Sequence, residues 1–403
     1  MSAPAYAPAH AARNVDCTTV LLDDAPPQWD ELPLPGAPGF YSSRPWHQAN
    51  RALSGAAESV VLAWTAAPGG HRLQAVVPVS RYPDDPGKPA NAFLHPARLF
   101  SAAGLPAPQW GPITLLGTTA GYETAPICAS GQQAAWARAA AQVIPAEGTA
   151  AMLHLDEPAA MAVHAHFPDA PLLLTSARSV LTLTAATVDE HHTQLPSRKR
   201  YLAHKETARL QEAGSAITVK DLADCDINQL VELQLLTQRR HNAPDDPAAF
   251  QTGFRRILSS PRLLQAARVF LAHDHHGELV AYHLAFIHDD TLLVRNIGLD
   301  YERATHGEYF AVMVHAPLRY AFEHGLRKID FGLEAFSQKL RRGARPVLLW
   351  SALLRPPAGW TPAHTIACNR RRATELLTAM GAHLEPDEAE RLRTIGRTGL
   401  ITP

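Results

Sequence analysis

Residues 267–333 carry the pattern that most restricts the possible fold. Three strand-like runs, ARVFLAHD, ELVAYHLAFIHD and TLLVRNIGLD, follow one another through the short turns HDHHG and HDD. Such runs joined by tight turns predict an antiparallel meander. A helical stretch from Glu308 to His324 then ends at Gly325, and RKIDFGL follows as the next strand. A strand that enters a helix and returns as a strand is a β-α-β crossover.

The first half repeats this order in a shorter form. SVVLAWTA and RLQAVVPVS are typical of strands, and Gly69 and Gly70 between them can take the positive φ of a hairpin turn. The Ala-rich run 131–144 predicts a helix and GTAAMLHL a strand. We therefore predict an α/β (α+β) fold of two units, each a mixed, mostly antiparallel sheet flanked by helices.

The length of 403 residues suits two cores better than one. We expect the units at residues 15–185 and 186–380, with residues 1–14 as a frayed tail. Two helix starts are also predicted from capping residues: Ser42 or Ser43 before a helix near Pro45, and Ser197 before a helix that stops at Gly214.

Several functional classes are disfavoured by composition. No apolar run approaches the roughly 18–20 residues that span a bilayer, and the first residues lack the apolar core of a secretory signal. We therefore expect a cytoplasmic protein without membrane insertion. The four cysteines are scattered without CxxC spacing, which argues against a disulfide framework or a zinc knuckle. HDHH at 273–276 lacks the companion ligands of a metal motif, so no metal site is predicted.

Charge is distributed unevenly although the net charge is only −1. Residues 1–190 hold nine Lys or Arg and fifteen Asp or Glu, whereas residues 191–372 hold 25 and 18, a net charge of +7. An imbalance of this kind indicates that the second half meets an anion. The alternative is charge scattered over an ordinary surface.

Two groups of cations are candidates for that contact. The first follows the last strand of the crossover, and the second lies on one face of the helix that begins near Ser197. Arg can grip phosphate with two hydrogen bonds and Lys offers a point charge. Either group can equally be a solvated surface. Their members are Lys339, Arg341, Arg342 and Arg345 in the first group, and Arg198, Lys205 and Arg209 in the second.

These patterns together resemble a known family. Three antiparallel strands, a helix and a strand is the order of the GNAT acyltransferase core. The helix ending in EHG, the strand IDFG and the KLRRG segment resemble the C-terminal signature of Fem-type tandem-GNAT proteins, which include aminoacyl-tRNA-dependent peptidyltransferases. LPSRKRYLAHKETARLQEAG resembles the basic helix that opens their second unit, and FYSSRPWHQAN their first helix.

The resemblance implies an acyltransferase that forms an amide. Lys339 matches the family's Lys-x-x-x-Gly. Asp330 can orient or deprotonate the amine, although it can also pair with Arg327 or Lys328. His283 is a candidate general base and Tyr309 a candidate proton donor to the leaving group; both residue types more often pack in the core.

The segment DYERATHGEYF departs from ordinary GNAT enzymes. They hold the CoA pyrophosphate in a Gly-rich turn before the crossover helix. This chain keeps Arg303 and Gly307 there but lacks the second glycine. We therefore expect no tightly bound cofactor, an aminoacyl-tRNA donor and a small-molecule or cell-wall-type amine acceptor. The alternatives are an acyl-CoA-dependent N-acyltransferase and a non-catalytic binding protein of the same fold.

Overall fold

The fold is known from a computed structural model. It describes residues 15–32, 36–51, 56–82, 99–100, 104–117, 120–243 and 246–400. Within these residues, thirteen strands belong to one sheet. They are β1 Val15–Leu21, β2 Ala57–Ala67, β3 Gly70–Tyr82, β4 Ile113–Leu116, β5 Ile127–Cys128, β6 Thr149–Leu155, β7 Leu172–Thr182, β8 Ala216–Asp221, β9 Ala267–His273, β10 Leu279–His288, β11 Thr291–Leu299, β12 Lys328–Asp330 and β13 Arg345–Arg355.

Helices cover both faces of this sheet. Three consecutive segments, Glu308–Phe310, Ala311–His315 and Ala316–Glu323, form one continuous helix, α10, whose middle segment is a π-turn. The others are α1 Gly36–Tyr41, α2 Arg44–Asn50, α3 Gln133–Ala141, α4 Glu157–His166, α5 Val188–Gln194, α6 Ser197–Glu212, α7 Ile227–Arg240, α8 Pro247–Leu258, α9 Pro261–Ala266, α11 Phe336–Leu340, α12 Pro362–Met380 and α13 Pro386–Thr398.

The strands run across the sheet in the order β1-β2-β3-β4-β6-β13-β7-β12-β11-β10-β9-β8, with β5 beside β3. All neighbours are antiparallel except β4 with β6 and β11 with β12. Each parallel pair is joined through a crossover helix, α3 in the first half and α10 in the second. The predicted meander, the crossover and the mixed α/β class are therefore confirmed.

Local sequence explains most helix boundaries. Ser43 caps α2, as one of the two predicted possibilities, because its hydroxyl accepts a hydrogen bond from the Trp46 N–H. Gly214 follows α6 in the left-handed conformation, as predicted. The predicted Ser197 cap is wrong, because Ser197 is already the first helical residue and Pro196 precedes it without a side-chain cap.

The last strand crosses from one half of the chain to the other. β13 lies between β6 and β7, and pairs with both, although its sequence follows the second crossover. In return, α1 and α2 pack on the second half, where the Phe40 ring lies 4.9 Å from the Phe286 ring of β10. The division at residues 185 and 186 remains a prediction, and the two halves share strands and core across it.

Candidate active site

β11 and β12 pair over only three residues, from Thr291 with Lys328 to Leu293 with Asp330. Beyond that point the chain turns away at Gly332, whose φ of +67° favours glycine. We call the space between residues 294–299 and residues 331–333 the strand gap. One edge of β11 pairs with β10, so its other edge faces this gap. A parallel pair that splays in this way presents backbone groups to a ligand.

Lys339 fixes the chain on the far side of the strand gap. Its side chain comes inward from α11 and is buried, and its Nζ donates hydrogen bonds to the carbonyl oxygens of Phe331 at 2.7 Å and Leu333 at 2.6 Å. Burial lowers the pKa of Lys339 to about 7. The structure therefore gives this predicted residue a backbone contact rather than an exposed position for phosphate.

Asp330 lies at the end of β12, where the strand gap begins. Its carboxylate is buried, accepts a hydrogen bond from the Gly332 N–H at 2.9 Å, and pairs with Nη1 of Arg178 at 2.8 Å. The partner is Arg178 and not Arg327 or Lys328, which were the alternative to a functional role, because β7 is the antiparallel neighbour of β12.

A second carboxylate shares the same guanidinium. Glu123 is fully buried, with its Oε2 2.9 Å from Nε of Arg178 and its Oε1 3.2 Å from Nη2. Burial raises the pKa of Glu123 to about 8, against the opposing charge of Arg178. We call the two carboxylates of Glu123 and Asp330 the carboxylate pair, and Arg178 is their shared counter-ion. At neutral pH it holds one carboxyl group with a raised pKa, which is an arrangement suited to proton transfer.

Residues 120–124 bring a tyrosine from the first half into the strand gap. The Tyr122 hydroxyl donates to the Arg295 carbonyl oxygen at 3.3 Å, and its ring lies so close to Gly332 that an added Cβ would meet it at 2.9 Å. The Arg295 guanidinium stacks on the Tyr122 ring at 4.3 Å and near the Trp46 ring at 5.5 Å. The gap is therefore built by both halves of the chain.

Comparisons with known proteins identify a family model and solved structures that this chain resembles. Residues 197–339 match the family model described as an acetyltransferase (GNAT) domain. The solved structure of FemX is similar with a TM-score of 0.53 at 10% identity, over 84% of this chain and 96% of that one. This chain has a Fem-like tandem GNAT fold. The match to the GNAT domain also confirms the predicted enzyme class, an acyltransferase.

Two further solved structures are similar with lower TM-scores. A tandem GNAT protein from the clavulanic acid biosynthesis pathway covers 85% of this chain and 99% of its own, with a TM-score of 0.46 at 12% identity. L-PGS from Bacillus licheniformis covers 70% and 90%, also with a TM-score of 0.46 at 12% identity. No curated protein matches the sequence.

The start of the GNAT crossover helix, α10, does not fit the CoA pyrophosphate that the fold family implies. Glu308 begins this helix and is fully buried, and its carboxylate accepts hydrogen bonds from the His306 N–H at 2.8 Å and the Ser215 hydroxyl at 2.7 Å. A carboxylate near a helix N-terminus complements the positive end of the helix. The same position would repel a pyrophosphate. Arg303 in the preceding turn pairs with Asp274 at 3.1 Å.

The structure places His283 and Tyr309 against α10. His283 is fully buried, and its Nδ1 lies 2.9 Å from the Val312 carbonyl oxygen inside the π-turn. A π-turn leaves carbonyl groups without their usual partner, so His283 satisfies one of them. Burial lowers the pKa of His283 to about 4. Tyr309 is partly buried beside Phe310, and burial raises its pKa.

The predicted cations divide into paired and surface residues. Arg342 is buried, forms an ion pair with Glu206, and stacks on the Phe310 ring at 3.5 Å. Arg345 pairs with Glu385 at 2.8 Å. The donor contact expected at Arg342 stays a prediction, and the guanidinium faces into the protein in this structure.

The remaining predicted cations lie along α6 and directly after α11. Partial burial lowers the pKa of His383, and the positive charges of Arg341, Lys199 and Arg198 lower it further. Lys205 and Arg209 continue along the exposed face of α6. We call this the basic surface, formed by Arg198, Lys199, Lys205, Arg209 and Arg341.

The carboxylate pair was missed from the sequence. Arg178 is the only charged residue in the run LLLTSARSVLT of β7, and a lone cation in a buried strand is a usable signal of a buried partner. Glu123 and Tyr122 occur in a loop-rich stretch where no periodicity singles them out. Glu308 was visible next to Gly307, but its inward orientation was not.

Other features lie apart from the strand gap. A cavity of about 590 Å³ opens between Trp29 in the short 3₁₀ helix Pro27–Glu31, α1, α9 and the end of β10. Its walls include the ion pair of Asp30 with Arg262. Its lining contains no member of the carboxylate pair. Among the described residues, no cluster of three or more potential ligands could hold a metal ion. Within those same ranges, no helix has the length and apolar content that crossing a bilayer requires.

Proposed function

We propose that this chain forms an amide by moving an aminoacyl group from aminoacyl-tRNA onto the amine of a small molecule or cell-wall-type precursor. The observation that carries the choice of donor is the buried Glu308 carboxylate at the start of α10. It occupies the place where ordinary GNAT enzymes hold the CoA pyrophosphate. A polyanionic donor then needs another contact, and the basic surface offers one.

The carboxylate pair supports the chemistry of amide formation. The acceptor amine must lose a proton as it attacks the ester carbonyl carbon, and the Asp330 carboxylate can accept that proton. The carbonyl oxygen becomes an oxyanion that backbone N–H groups along the strand gap can stabilise. When the intermediate collapses, the ester C–O bond breaks and the ribose oxygen leaves with the proton that the carboxylate took from the amine. Lys339 acts indirectly, by holding residues 331–333 in place.

The test is transfer of radiolabelled amino acid from bulk aminoacyl-tRNA to a panel of amines. Asp330→Asn is expected to reduce transfer by about 100-fold or more, because it removes a proton acceptor. Asp289→Asn is the matched control, since Asp289 lies in the exposed β10–β11 turn with a positive φ that Asn also tolerates. Absence of transfer from every aminoacyl-tRNA, with the protein folded, would overturn the proposal.

An acyl-CoA donor is the second candidate, and one observation favours it. The N-terminus of α3, the crossover helix of the first half, has no side-chain cap, and open space surrounds the nearby Gly131. Free N–H groups at a helix start can bind phosphate. Acetyl transfer from acetyl-CoA in the same assay, with no transfer from aminoacyl-tRNA, would establish this alternative. Inactivity with both donors would favour a non-catalytic binding protein.

A further inference from the structure

Tyr201 stands out on the basic surface. It is the most exposed large hydrophobic residue among the described residues, with 66% of its surface accessible. It lies in the second turn of α6, three residues after Arg198 and four before Lys205. Residues at these spacings lie on the same helix face. The Tyr201 ring and the two flanking cations therefore form one exposed patch on α6.

The acidic residue in the middle of α6 lies on the inward face of the helix, away from Tyr201. Glu206, the acidic residue in the middle of the helix, is buried and bonded to Arg342 and His315. Its charge is therefore neutralised on the side away from Tyr201. The exposed row contains Arg198, Tyr201, Lys205 and Arg209, and the helix reaches its exposed acidic residue, Glu212, only at its last position.

The spacing of the row fits a nucleic-acid strand. Arg198 and Arg209 are about 16 Å apart along the helix axis at 1.5 Å per residue. The row is therefore long enough to contact consecutive phosphates of a single strand. Cations along a backbone track, with an aromatic ring on which a base can stack, are the combination that binds single-stranded nucleic acid without sequence preference.

We propose that Tyr201 is the base-stacking platform of a single-stranded RNA site, in which Arg198, Lys205 and Arg209 hold the phosphates. This site rests on the proposed function, because the single-stranded end of a tRNA is the RNA that an aminoacyl transferase must hold. It also adds a contact that charge alone does not provide. Stacking depends little on salt, whereas phosphate contacts weaken steeply as salt rises.

The test is fluorescence anisotropy of the full chain with a labelled single-stranded RNA of about 12 nucleotides, at about 50 and 200 mM salt. Tyr201→Ala is expected to weaken binding by about 5- to 150-fold at both salt concentrations. Tyr201→Phe should bind like the parent chain. Arg198→Ala and Lys205→Ala should each lower the slope of log Kd against log salt by about 0.7.

Met161→Ala is the control for loss of an exposed apolar side chain, since Met161 lies on α4 in the first half and is 40% accessible. Equal RNA affinities for Tyr201→Ala, Met161→Ala and the parent chain would overturn the proposal. So would absence of RNA binding, including the case in which CoA binds instead and its binding depends on Tyr201.

The transfer assay separates this inference from the proposed function. Tyr201-dependent RNA binding without aminoacyl transfer supports the RNA site and removes the proposed reaction. Aminoacyl transfer and RNA binding that are both unchanged in Tyr201→Ala keep the reaction and remove the stacking site.

Discussion

Arg178 is the counter-ion of two carboxylates that come from distant parts of the sequence. The guanidinium is 14% accessible, and it bonds Asp330 on one side and Glu123 on the other. One positive charge cannot fully compensate two buried negative charges. Glu123, the more deeply buried of the two carboxylates, therefore has the pKa that is raised to about 8.

This shift predicts a pH-dependent contribution to stability. The native state binds the Glu123 proton more tightly than the unfolded state, so the stabilisation is complete below pH 4.5, the unfolded value, and is lost as pH rises through about 8. Glu123→Gln removes this titration. The free energy of unfolding of Glu123→Gln relative to the parent chain should increase between pH 5 and pH 8, by at most about 1.4 kcal/mol per pH unit. Urea unfolding at several pH values measures it.

Glu390→Gln is the matched control for that series. Hydrogen bonds from Arg397 and Arg393 lower the pKa of Glu390, so its contribution changes only below pH 4.5, its ordinary value. Its difference from the parent chain should stay flat between pH 5 and pH 8. A flat difference for Glu123→Gln as well would show that Glu123 is not held in its neutral form.

Individual residues were predicted with uneven success for a physical reason. Lys339 and Asp330 were named as site candidates because they lie on or just after the crossover strand. Their role in transfer is still a prediction. The direction of each side chain did not follow from the sequence, because Lys339 turns inward to carbonyl oxygens while Arg341, two residues later, stays near the surface. Direction depends on packing against residues far away in the chain.

At the scale of elements, the missing side chain at Gly332 allows the Tyr122 ring to pack against the turn that follows β12. Gly332→Ala adds a Cβ at 2.9 Å from the Tyr122 ring and also forces a positive φ on alanine. The backbone term costs about 1–2 kcal/mol, and the contact with Tyr122 shifts the gap itself. We expect transfer activity to fall by about 10- to 100-fold, because small displacements of reacting groups have effects of that size.

Gly325→Ala separates the cost of the positive φ from the effect of the contact with Tyr122. Gly325 has the same φ of +67° but nothing within 4 Å of its added Cβ. We therefore expect Gly325→Ala to lose stability without losing activity per folded molecule. Activity of Gly332→Ala should recover in part when Tyr122→Leu makes room. Equal activity of the two glycine variants would contradict a functional role for the Tyr122 contact.

The elements that were predicted follow from local periodicity and from glycine or serine boundaries, whereas β7, β13 and α12 were not predicted. Strands β9, β10 and β11 and helix α10 agree with the expected ranges to within two residues at each end, whereas β12 stops three residues before the end of the run RKIDFGL. The π-turn in α10 was not predictable, because it is held by the contact between His283 and Val312. The splay of β11 from β12 likewise depends on the turn at Gly332 and on Lys339.

For the whole molecule, the two halves exchange structure in both directions. β13 fills the place between β6 and β7, and α1 and α2 cover the apolar face of β10 and β11. The repeat of element order indicated two units, but it could not reveal this exchange. Strand neighbours separated by more than 150 residues leave no local pattern in a sequence.

This exchange predicts that the units at 15–185 and 186–380 do not fold as independent domains. A fragment ending at residue 185 lacks β13, so β6 and β7 lose their shared neighbour and expose unpaired strand edges. It also exposes Phe40 and Trp46, which pack on Phe286 in the intact chain. We expect this fragment to aggregate when it is expressed alone, and to copurify with residues 186–403 when the two are coexpressed. A monomeric fragment with its own cooperative unfolding transition would show instead that the first unit is a separate domain, and β13 would then be an addition to a core that is already complete.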